Sequence, residues 1–194
     1  MASEYTAKYI TPNIQIRSAV KNMWEIEICK IFCLEESLKK YHHLFISCNE
    51  VSGERPCEWC KKCEKCAFIF LLMSAWTDIS YVVNTVFGGV NMLLDDSEKM
   101  QDIFLSLLGG GKSEGKKPFE CVGTVQEAST AVQLAVERIT QVKNEAVNMK
   151  DALVDESALP KILKILWDFC RDSDHYVGDN VFIGERKRCG IQLN

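Results

Sequence analysis

The sequence predicts a mainly α-helical domain built around a cysteine knuckle, with one or two short extended segments. Apolar residues recur at three- and four-residue spacing over most of the chain, which is typical of amphipathic helices. Five of the ten cysteines, from Cys48 to Cys66, lie within nineteen residues of one another. The segment 66–76 is apolar nearly all round, which indicates a helix buried on every side. The knuckle and this helix therefore organise the predicted fold.

Length and composition indicate one domain, or one domain with a dependent appendage. The chain has 194 residues, of which 47% are hydrophobic and 26% charged, so it contains enough apolar material for a core. The net charge is -4, without a basic excess. Because sequence-independent binding to nucleic acid needs clustered lysine and arginine, we expect no nucleic-acid partner.

The N-terminus and the cysteine usage together indicate a cytoplasmic protein. Residues 1–15 have neither the apolar core nor the cleavage signature of a signal peptide. The longest apolar run, starting at Ala67, is much shorter than the roughly 20 residues needed to cross a bilayer, so no membrane span is expected. Ten cysteines without a secretion signal point to reduced thiols, and their clustering favours a metal over disulfides.

The first half of the chain is predicted to carry two helices before the knuckle. Residues 1–16 form a lead-in without a strong pattern, which is either disordered or pairs with something outside this chain. Apolar spacing predicts a helix over 17–32, on which Cys29 and Cys33 are small buried residues. A short helix over 35–41 follows, and Leu44, Phe45 and Ile46 form a brief extended segment.

The second half is predicted to carry four further helices, with identifiable start and stop signals. Either Thr77 or Asp78 caps a helix that stops at Gly88, and either Asp95 or Asp96 caps the next one. Thr124 and Glu127 form a capping box. Three of the predicted helices cover 79–87, 98–108 and 157–169, the last with Pro160 in its first turn. The helix that starts at Thr124 is predicted to run past residue 142 towards residue 150.

The closely spaced cysteines predict a metal site. Zinc bound by thiolates needs four sulfurs at tetrahedral angles, and each C-x2-C pair supplies two of them from one turn. The chain offers one sulfur more than a mononuclear site uses. An iron-sulfur cluster remains an alternative, and a group of merely buried or reactive thiols is another. The five cysteines are Cys48, Cys57, Cys60, Cys63 and Cys66.

Other chemistry-bearing patterns have simpler explanations. Residues 109–113, GGGKS, resemble the end of a phosphate-binding loop, but Ser106 occupies the position of its first glycine and the preceding segment is helical in pattern. The glycines are therefore interpreted as a helix stop. His42 and His43 could be alternative metal ligands, although the cysteines suffice. The carboxylates after residue 94 could bind magnesium near a nucleotide, or serve only as helix caps.

Four sequence motifs resemble the UDP-N-acetylmuramoyl-L-alanyl-L-glutamate epimerases of an alternative bacterial cell-wall route. The resemblance covers residues 24–132 and therefore somewhat more than half of the chain. The cysteine layout of the chain is also similar to the zinc knuckle of 7-cyano-7-deazaguanine synthase. The motifs are SCN at 47–49, WCKKCEKCAFIFLLMSA at 59–75, FGGVNMLLDD at 87–96 and KPFECVGT at 117–124.

The resemblance implies an isomerase that depends on ATP and magnesium. Such an enzyme inverts the terminal L-glutamate of a peptidoglycan precursor to D-glutamate by activating its α-carboxylate, which makes the Cα proton easier to remove. Members have a nucleotide-binding N-terminal part of the ATP pyrophosphatase type, followed by a segment like this one. Both similar families activate a carboxylate and share a cysteine zinc knuckle.

The sequence departs from the epimerase pattern in one important respect. No Ser-Gly-Gly-x-Asp-Ser loop, the phosphate cradle of ATP pyrophosphatases, occurs in the 194 residues. We therefore expect either the C-terminal portion of an epimerase that needs an ATP-binding domain or partner, or a descendant that kept the knuckle as an interaction module. The expected substrate in the first case is a small muropeptide. The division implied is a lead-in (1–16), an epimerase-like domain (17–132) and a helical extension (133–194).

The resemblance also implies site residues. The epimerase pattern selects four cysteines as metal ligands and leaves Cys57 spare, whereas the synthase spacing would use Cys57 and omit Cys66. Lys117, Phe119, Glu120 and Cys121 are the candidates for facing a substrate, with Glu120 or Cys121 transferring a proton at Cα. The cofactor-binding candidates are Asp95 and Asp96. The epimerase-type metal ligands are Cys48, Cys60, Cys63 and Cys66.

Overall fold

A computed structural model of the chain describes residues 2–14, 16–34, 36–48, 50, 58–113, 122–141 and 154–172. These residues are mainly helical and contain no strand, which confirms the predicted fold class. Short 3-10 turns at Met92–Leu94, Gly111–Ser113 and Glu156–Ala158 link some of the helices. The α-helices are Ala2–Tyr9 (α1), Glu25–Leu34 (α2), Glu36–Tyr41 (α3), Glu64–Trp76 (α4), Ile79–Tyr81 (α5), Glu98–Leu107 (α6), Val125–Thr140 (α7) and Lys161–Asp172 (α8).

Helix α4 lies at the centre of the fold, as its apolar composition predicts. Ten consecutive residues from Cys66 to Ala75 are buried, so every face of the helix is covered. Its most extensive neighbour is α7, and α2 and α6 pack on other faces. At its end, Arg138 of α7 donates hydrogen bonds to the carbonyl oxygens of Ala75 (3.3 Å) and Trp76 (2.9 Å). These carbonyls have no partner within the helix, so α7 satisfies the C-terminus of α4.

A single buried carboxylate joins the N-termini of α2 and α7. Thr124 and Glu127 form the predicted capping box, in which the Glu127 carboxylate accepts a hydrogen bond from the Thr124 backbone N–H at 2.7 Å. The other oxygen of Glu127 accepts from the backbone N–H of Ile26 in the first turn of α2, at 3.2 Å. Glu127 therefore holds together two helix starts that lie 101 positions apart in sequence.

The apolar periodicity placed the ends of several helices incorrectly. Helix α2 begins at Glu25 rather than near residue 17, because residues 19–22 form turns and Glu27 accepts a hydrogen bond from the Trp24 N–H at 2.9 Å. Helix α7 ends at Thr140, where Gln141 adopts a left-handed conformation. Helix α8 begins after Pro160, because residues 156–158 form a separate 3-10 turn.

Both segments that flank the 3-10 turn at 92–94 have well-defined caps. Asp78 caps α5, accepting from the backbone N–H groups of Ser80 and Tyr81, and the chain continues as a π-helical segment, Val82–Val86, into the turn at Gly88. Helix α6 is capped by Ser97, whose hydroxyl accepts from the Met100 N–H. The prediction that Asp95 or Asp96 caps this helix is wrong by one or two residues. The serine hydroxyl at the N-cap accepts from a backbone N–H of the first turn that has no partner within the helix, as an aspartate would.

The predicted lead-in contains α1, which no pattern in the sequence indicated. Residues 45–48 form a non-helical connection between α3 and the knuckle. The boundary expected between residues 132 and 133 lies within α7, and the division into domains stays a prediction. None of the helices within the described residues is long and apolar enough to cross a membrane.

Candidate metal centre

The structure brings four of the five closely spaced cysteines together. The Sγ atoms of this cysteine cluster all lie within 4.8 Å of one another. Two of the separations are 3.9 Å (Cys48 to Cys63) and 3.6 Å (Cys60 to Cys66). Four sulfurs placed tetrahedrally at about 2.3 Å from zinc are roughly 3.8 Å apart, so these distances fit a metal-centred arrangement. The cluster consists of Cys48, Cys60, Cys63 and Cys66.

A tight turn of the backbone arranges the cysteines for this purpose. Lys61 has a left-handed conformation with φ of 60°. The backbone N–H groups that follow Cys60 point towards sulfur: that of Lys62 donates to Cys60, and that of Lys61 donates to Cys66. Such N–H donors stabilise thiolates and fix the directions of the sulfur ligands. The C-x2-C spacing therefore places the sulfur atoms of the turn where they can bind one metal ion.

Two members of the cluster belong to the start of α4. Cys63 is the N-cap residue of the helix and Cys66 is its third residue. The N-terminus of a helix carries a partial positive charge, which favours negatively charged thiolates at these positions. Near them, the Lys65 ammonium lies 3.4 Å from the Glu25 carboxylate and so ties α2 to the knuckle. The buried helix and the cluster are therefore one structural unit.

The surroundings change the pKa values of the cluster thiols in opposite directions. Burial raises the pKa of Cys60 to about 12 and also raises the pKa of Cys66. Burial acts in the same direction on Cys48, but hydrogen bonds from the backbone N–H groups of Cys60 and Glu50 outweigh it and lower the pKa of the Cys48 thiol. Several buried thiolates are costly without a counter-charge, which a bound divalent cation would supply.

An aromatic cluster fixes the knuckle to the rest of the fold. The buried Trp59 ring stacks on Phe87 with 5.0 Å between centroids, and Phe45 meets the edge of Trp59 at 5.5 Å. Phe87 in turn packs edge-to-face on Phe70 of α4 at 4.9 Å. The Lys61 ammonium lies beside Gly88, 3.4 Å from where a Cβ would stand. These aromatic contacts join residues that lie in or near three of the four sequence motifs.

The fourth motif reaches the same helix through its glycine. A Cβ on Gly123 would lie 2.4 Å from the Phe68 ring and 2.7 Å from the Glu127 carboxylate, so only glycine fits this position. Val122 beside it is buried. The described residues of all four motifs therefore pack against or lead into α4, although Cys48 and Gly123 are about seventy-five residues apart in sequence.

The two acidic candidates for cofactor binding already have partners. The Asp95 carboxylate accepts from the Ser97 N–H at 2.8 Å, and hydrogen bonding to Ser97 lowers its pKa. The Asp96 carboxylate lies 2.6 Å from the ammonium of Lys161 on α8. Their role in cofactor binding stays a prediction. The glycines at 109–111 end α6, and two of them have positive φ, in agreement with a helix stop.

The remaining predicted residues are either outside the described structure or away from the cluster. Lys117, Phe119, Glu120 and Cys121 lie outside the described residues, and so does Cys57. His42 and His43 are in edge-to-face contact with each other and do not belong to the cysteine cluster. A second thiol contact joins the sulfur atoms of Cys29 and Cys33 on α2 at 3.8 Å. The sequence had indicated only that both are buried, although their four-residue spacing on a helix predicts that they meet.

Comparison with known proteins identifies the family. The model of the MurL C-terminal domain matches residues 44–163, more than half of the chain. The chain belongs to the MurL C-terminal domain family. The range matched by this family runs past residue 132, the end of the resemblance seen in the motifs, and includes α7 and the first turn of α8.

Curated relatives carry the name of the epimerase itself. The chain is 30% identical over 159 residues to the UDP-N-acetyl-alpha-D-muramoyl-L-alanyl-L-glutamate epimerase of a Micromonospora species, covering 81% of this chain and 32% of that protein. It is 30% identical over 150 residues to the enzyme of the same name from Xanthomonas oryzae pv. oryzae, covering 74% and 30%. The chain thus spans about a third of the length of the relatives it matches. No solved structure matches the chain.

Proposed function

We propose that the chain is the C-terminal, zinc-binding portion of an ATP-dependent epimerase. The reaction is inversion of the terminal L-glutamate of UDP-MurNAc-L-Ala-L-Glu to D-glutamate, and an ATP-binding domain or partner chain completes the enzyme. The observation that carries this proposal is that the described residues of the four family motifs meet at α4, three of them around the cysteine cluster and the Trp59 ring and the fourth through Gly123. The names of the curated relatives supply the reaction.

The metal proposed for the cluster is zinc in a structural role. Four thiolates close a tetrahedral site and leave no position for water or substrate, which is the composition of structural rather than catalytic zinc centres. The cluster fixes the start of α4, so the metal stabilises the helix on which the other motifs pack. Elemental analysis of the purified chain tests the identity, with about one zinc per chain expected. Iron together with visible sulfur-to-iron absorption would contradict it.

The proposed chemical groups are those of the fourth motif. Lys117, Glu120 and Cys121 lie within the five residues before Val122, and Val122 and Gly123 are packed against the core at the start of α7. Glu120 or Cys121 would move the proton at the glutamate Cα once its carboxylate is activated. Asp95 and Asp96 would hold the magnesium that accompanies ATP, which requires Asp96 to exchange its ion pair with Lys161.

A reconstitution experiment tests the proposed reaction. The chain is incubated with ATP, magnesium and UDP-MurNAc-L-Ala-L-Glu, with and without the N-terminal portion of the Micromonospora epimerase, and D-glutamate is measured by chiral chromatography after hydrolysis. D-Glutamate is expected only in the presence of the N-terminal portion. Its absence under both conditions would contradict the proposal. Glu120→Gln and Cys121→Ala variants, with Lys116→Ala as a control, then separate the candidate groups.

A second candidate function is a non-catalytic zinc-dependent interaction module derived from the same family. It is favoured by the large apolar side chains exposed between Tyr5 and Trp24, because exposed apolar side chains on one segment commonly mark a binding surface. This candidate predicts that the chain binds a partner and contributes no group to chemistry. Reconstituted epimerisation that is unchanged by substitutions at 117, 120 and 121 would support it over the first candidate.

A further inference from the structure

The exposed apolar side chains of the protein are concentrated near its N-terminus. The N-terminal segment, defined as residues 2–24, precedes the part of the chain that the family model matches. Soluble proteins rarely expose clustered large apolar residues unless they form a binding surface. Among the described residues, twelve large hydrophobic side chains are exposed, and seven belong to this segment: Tyr5, Tyr9, Ile10, Ile14, Ile16, Val20 and Trp24.

Helix α1 and the turn that follows it have a defined backbone despite this exposure. Tyr5 and Tyr9 lie on one face of α1 with their ring centroids 4.9 Å apart, and they are 60% and 64% exposed. The backbone N–H groups of Ile10 and Thr11 donate to the Thr6 carbonyl, which ends the helix in a compact turn. Ile10 in that turn is 68% exposed. The rings and the isoleucine are thus presented outward by a defined backbone.

The segment combines aromatic residues and cations with four exposed aliphatic residues, Ile10, Ile14, Ile16 and Val20. Tyrosine, tryptophan and arginine are enriched at protein interfaces relative to the rest of the surface. The segment contains two exposed tyrosines, and the Lys8 ammonium lies over the Tyr9 ring at 5.0 Å from its centroid. Arg17 and Lys21 add further positive charge. Large amphipathic rings bordered by cations suit a partner surface that is partly apolar and partly acidic.

The length of the relatives indicates which partner this is. The chain spans about a third of the length of those epimerases, and the family model it matches is that of a C-terminal domain, so about two thirds of each relative lie outside the match. A C-terminal domain that contributes to one active site must contact that remaining portion. The cysteine cluster is unavailable for this contact, because three of its four residues are buried against α4 and the aromatic cluster.

We propose that the N-terminal segment is the docking surface for the nucleotide-binding N-terminal portion of the epimerase. The inference rests on the proposed function for the identity of the partner, although binding itself requires no catalysis. Tyr5, Tyr9 and Ile10 are its central contacts, and Lys8 and Arg17 lie at its charged border. The last residue of the segment, Trp24, directly precedes α2, whose first turn is joined to the start of α7 by Glu127.

A binding experiment tests the docking surface. The complete 194-residue chain, tagged at its C-terminus, is mixed with the N-terminal portion of the Micromonospora epimerase or of the Xanthomonas enzyme, without ATP or muropeptide. Affinity is measured by calorimetry and stoichiometry by light scattering. The test variant combines Tyr5→Ser, Tyr9→Ser and Ile10→Ser. The control variant combines Leu34→Ser, Leu44→Ser and Leu94→Ser, which are 58%, 69% and 59% exposed and lie outside the segment.

The expected result is a one-to-one complex of the wild-type chain with at least one of the two portions. Affinity should fall at least tenfold in the test variant and stay within twofold in the control, with unchanged thermal unfolding of both free variants. Equal losses in the two variants, or no binding by the wild type to either portion, would overturn the docking surface. So would a dimer of the chain that only the test variant abolishes, because a second copy would then be the occupant. A complex that forms normally but yields no D-glutamate after ATP, magnesium and UDP-MurNAc-L-Ala-L-Glu are added would contradict the proposed function alone.

Discussion

The region around α4 and the N-terminal segment use apolar residues in opposite ways. Around α4, ten consecutive residues are buried, and aromatic rings close the space between the knuckle and the turn at Gly88. In the N-terminal segment, seven large apolar side chains face outward on a backbone held by local hydrogen bonds. The first region is part of the hydrophobic core, whereas the docking proposed above would cover the second with another surface. The comparison separates residues needed to fold from residues available for binding.

The largest expected loss of stability follows from removal of a metal ligand at the start of α4. Cys66→Ser should reduce bound zinc to near zero and abolish cooperative thermal unfolding, because binding of a structural zinc supplies about 10–16 kcal/mol of folding free energy. Cys57→Ser, a control from the same stretch, should keep about one zinc per chain. Elemental analysis and circular dichroism check both variants. If Cys57→Ser loses the metal while Cys66→Ser keeps it, the ligand set is that of the synthase spacing.

A smaller but direct comparison uses aromatic residues from each region. Phe70→Ala removes a fully buried ring that contacts Phe87, and it should lower the free energy of unfolding by about 3–5 kcal/mol. Tyr9→Ala removes an exposed ring and should change that free energy by less than about 0.5 kcal/mol. Urea unfolding of the zinc-loaded chain measures both. Similar losses would mean that the N-terminal segment is part of the folding core.

Loss of the shared carboxylate between α2 and α7 should have an intermediate effect. Glu127→Ala removes the acceptor for the backbone N–H groups of Thr124 and Ile26, and it should cost about 1–3 kcal/mol because both donors are left without it. Gln126→Ala, an exposed neighbour on the same helix, is the control and should be nearly neutral. Equal effects of the two substitutions in urea unfolding would show that Glu127 does not join the helices.

The smallest expected effect is on the pH dependence of stability, through the Asp78 cap at the start of α5. Hydrogen bonds from Ser80 hold the pKa of Asp78 below its usual value. The contribution of this cap to stability is therefore complete above the unfolded pKa of about 3.9 and is lost as pH falls through the lower folded value. Asp78→Asn should remove that part of the acid dependence. Thermal unfolding between pH 2 and pH 6 compares the two proteins, and identical profiles would contradict the role of the cap.

The sequence predicted the features that depend on neighbouring residues. The apolar stretch after Cys66 is buried all round, and the Thr124–Glu127 spacing forms its capping box, because helix periodicity and capping involve residues within one or two turns. The four cysteines selected by the resemblance come together in the structure, although their choice as ligands stays a prediction.

The features that sequence patterns could not predict depend on distant contacts. Nothing near Ile26 indicates that its N–H bonds to Glu127, and nothing near Gly123 indicates that the Phe68 ring excludes a side chain there. The late start of α2 has the same origin, since apolar spacing continues upstream into a segment that is not helical. Helix α1 was not predicted although Tyr5 and Tyr9 are four residues apart on one face, because eight residues are too few to establish a helical period.

X-ray absorption at the zinc edge of the purified chain tests most directly whether the four cysteines at the start of α4 hold a four-thiolate zinc centre. Our interpretation predicts a single shell of four sulfurs at about 2.3 Å from the metal. A shell that contains nitrogen or oxygen, fewer than four sulfurs, or no zinc in a folded chain would contradict it.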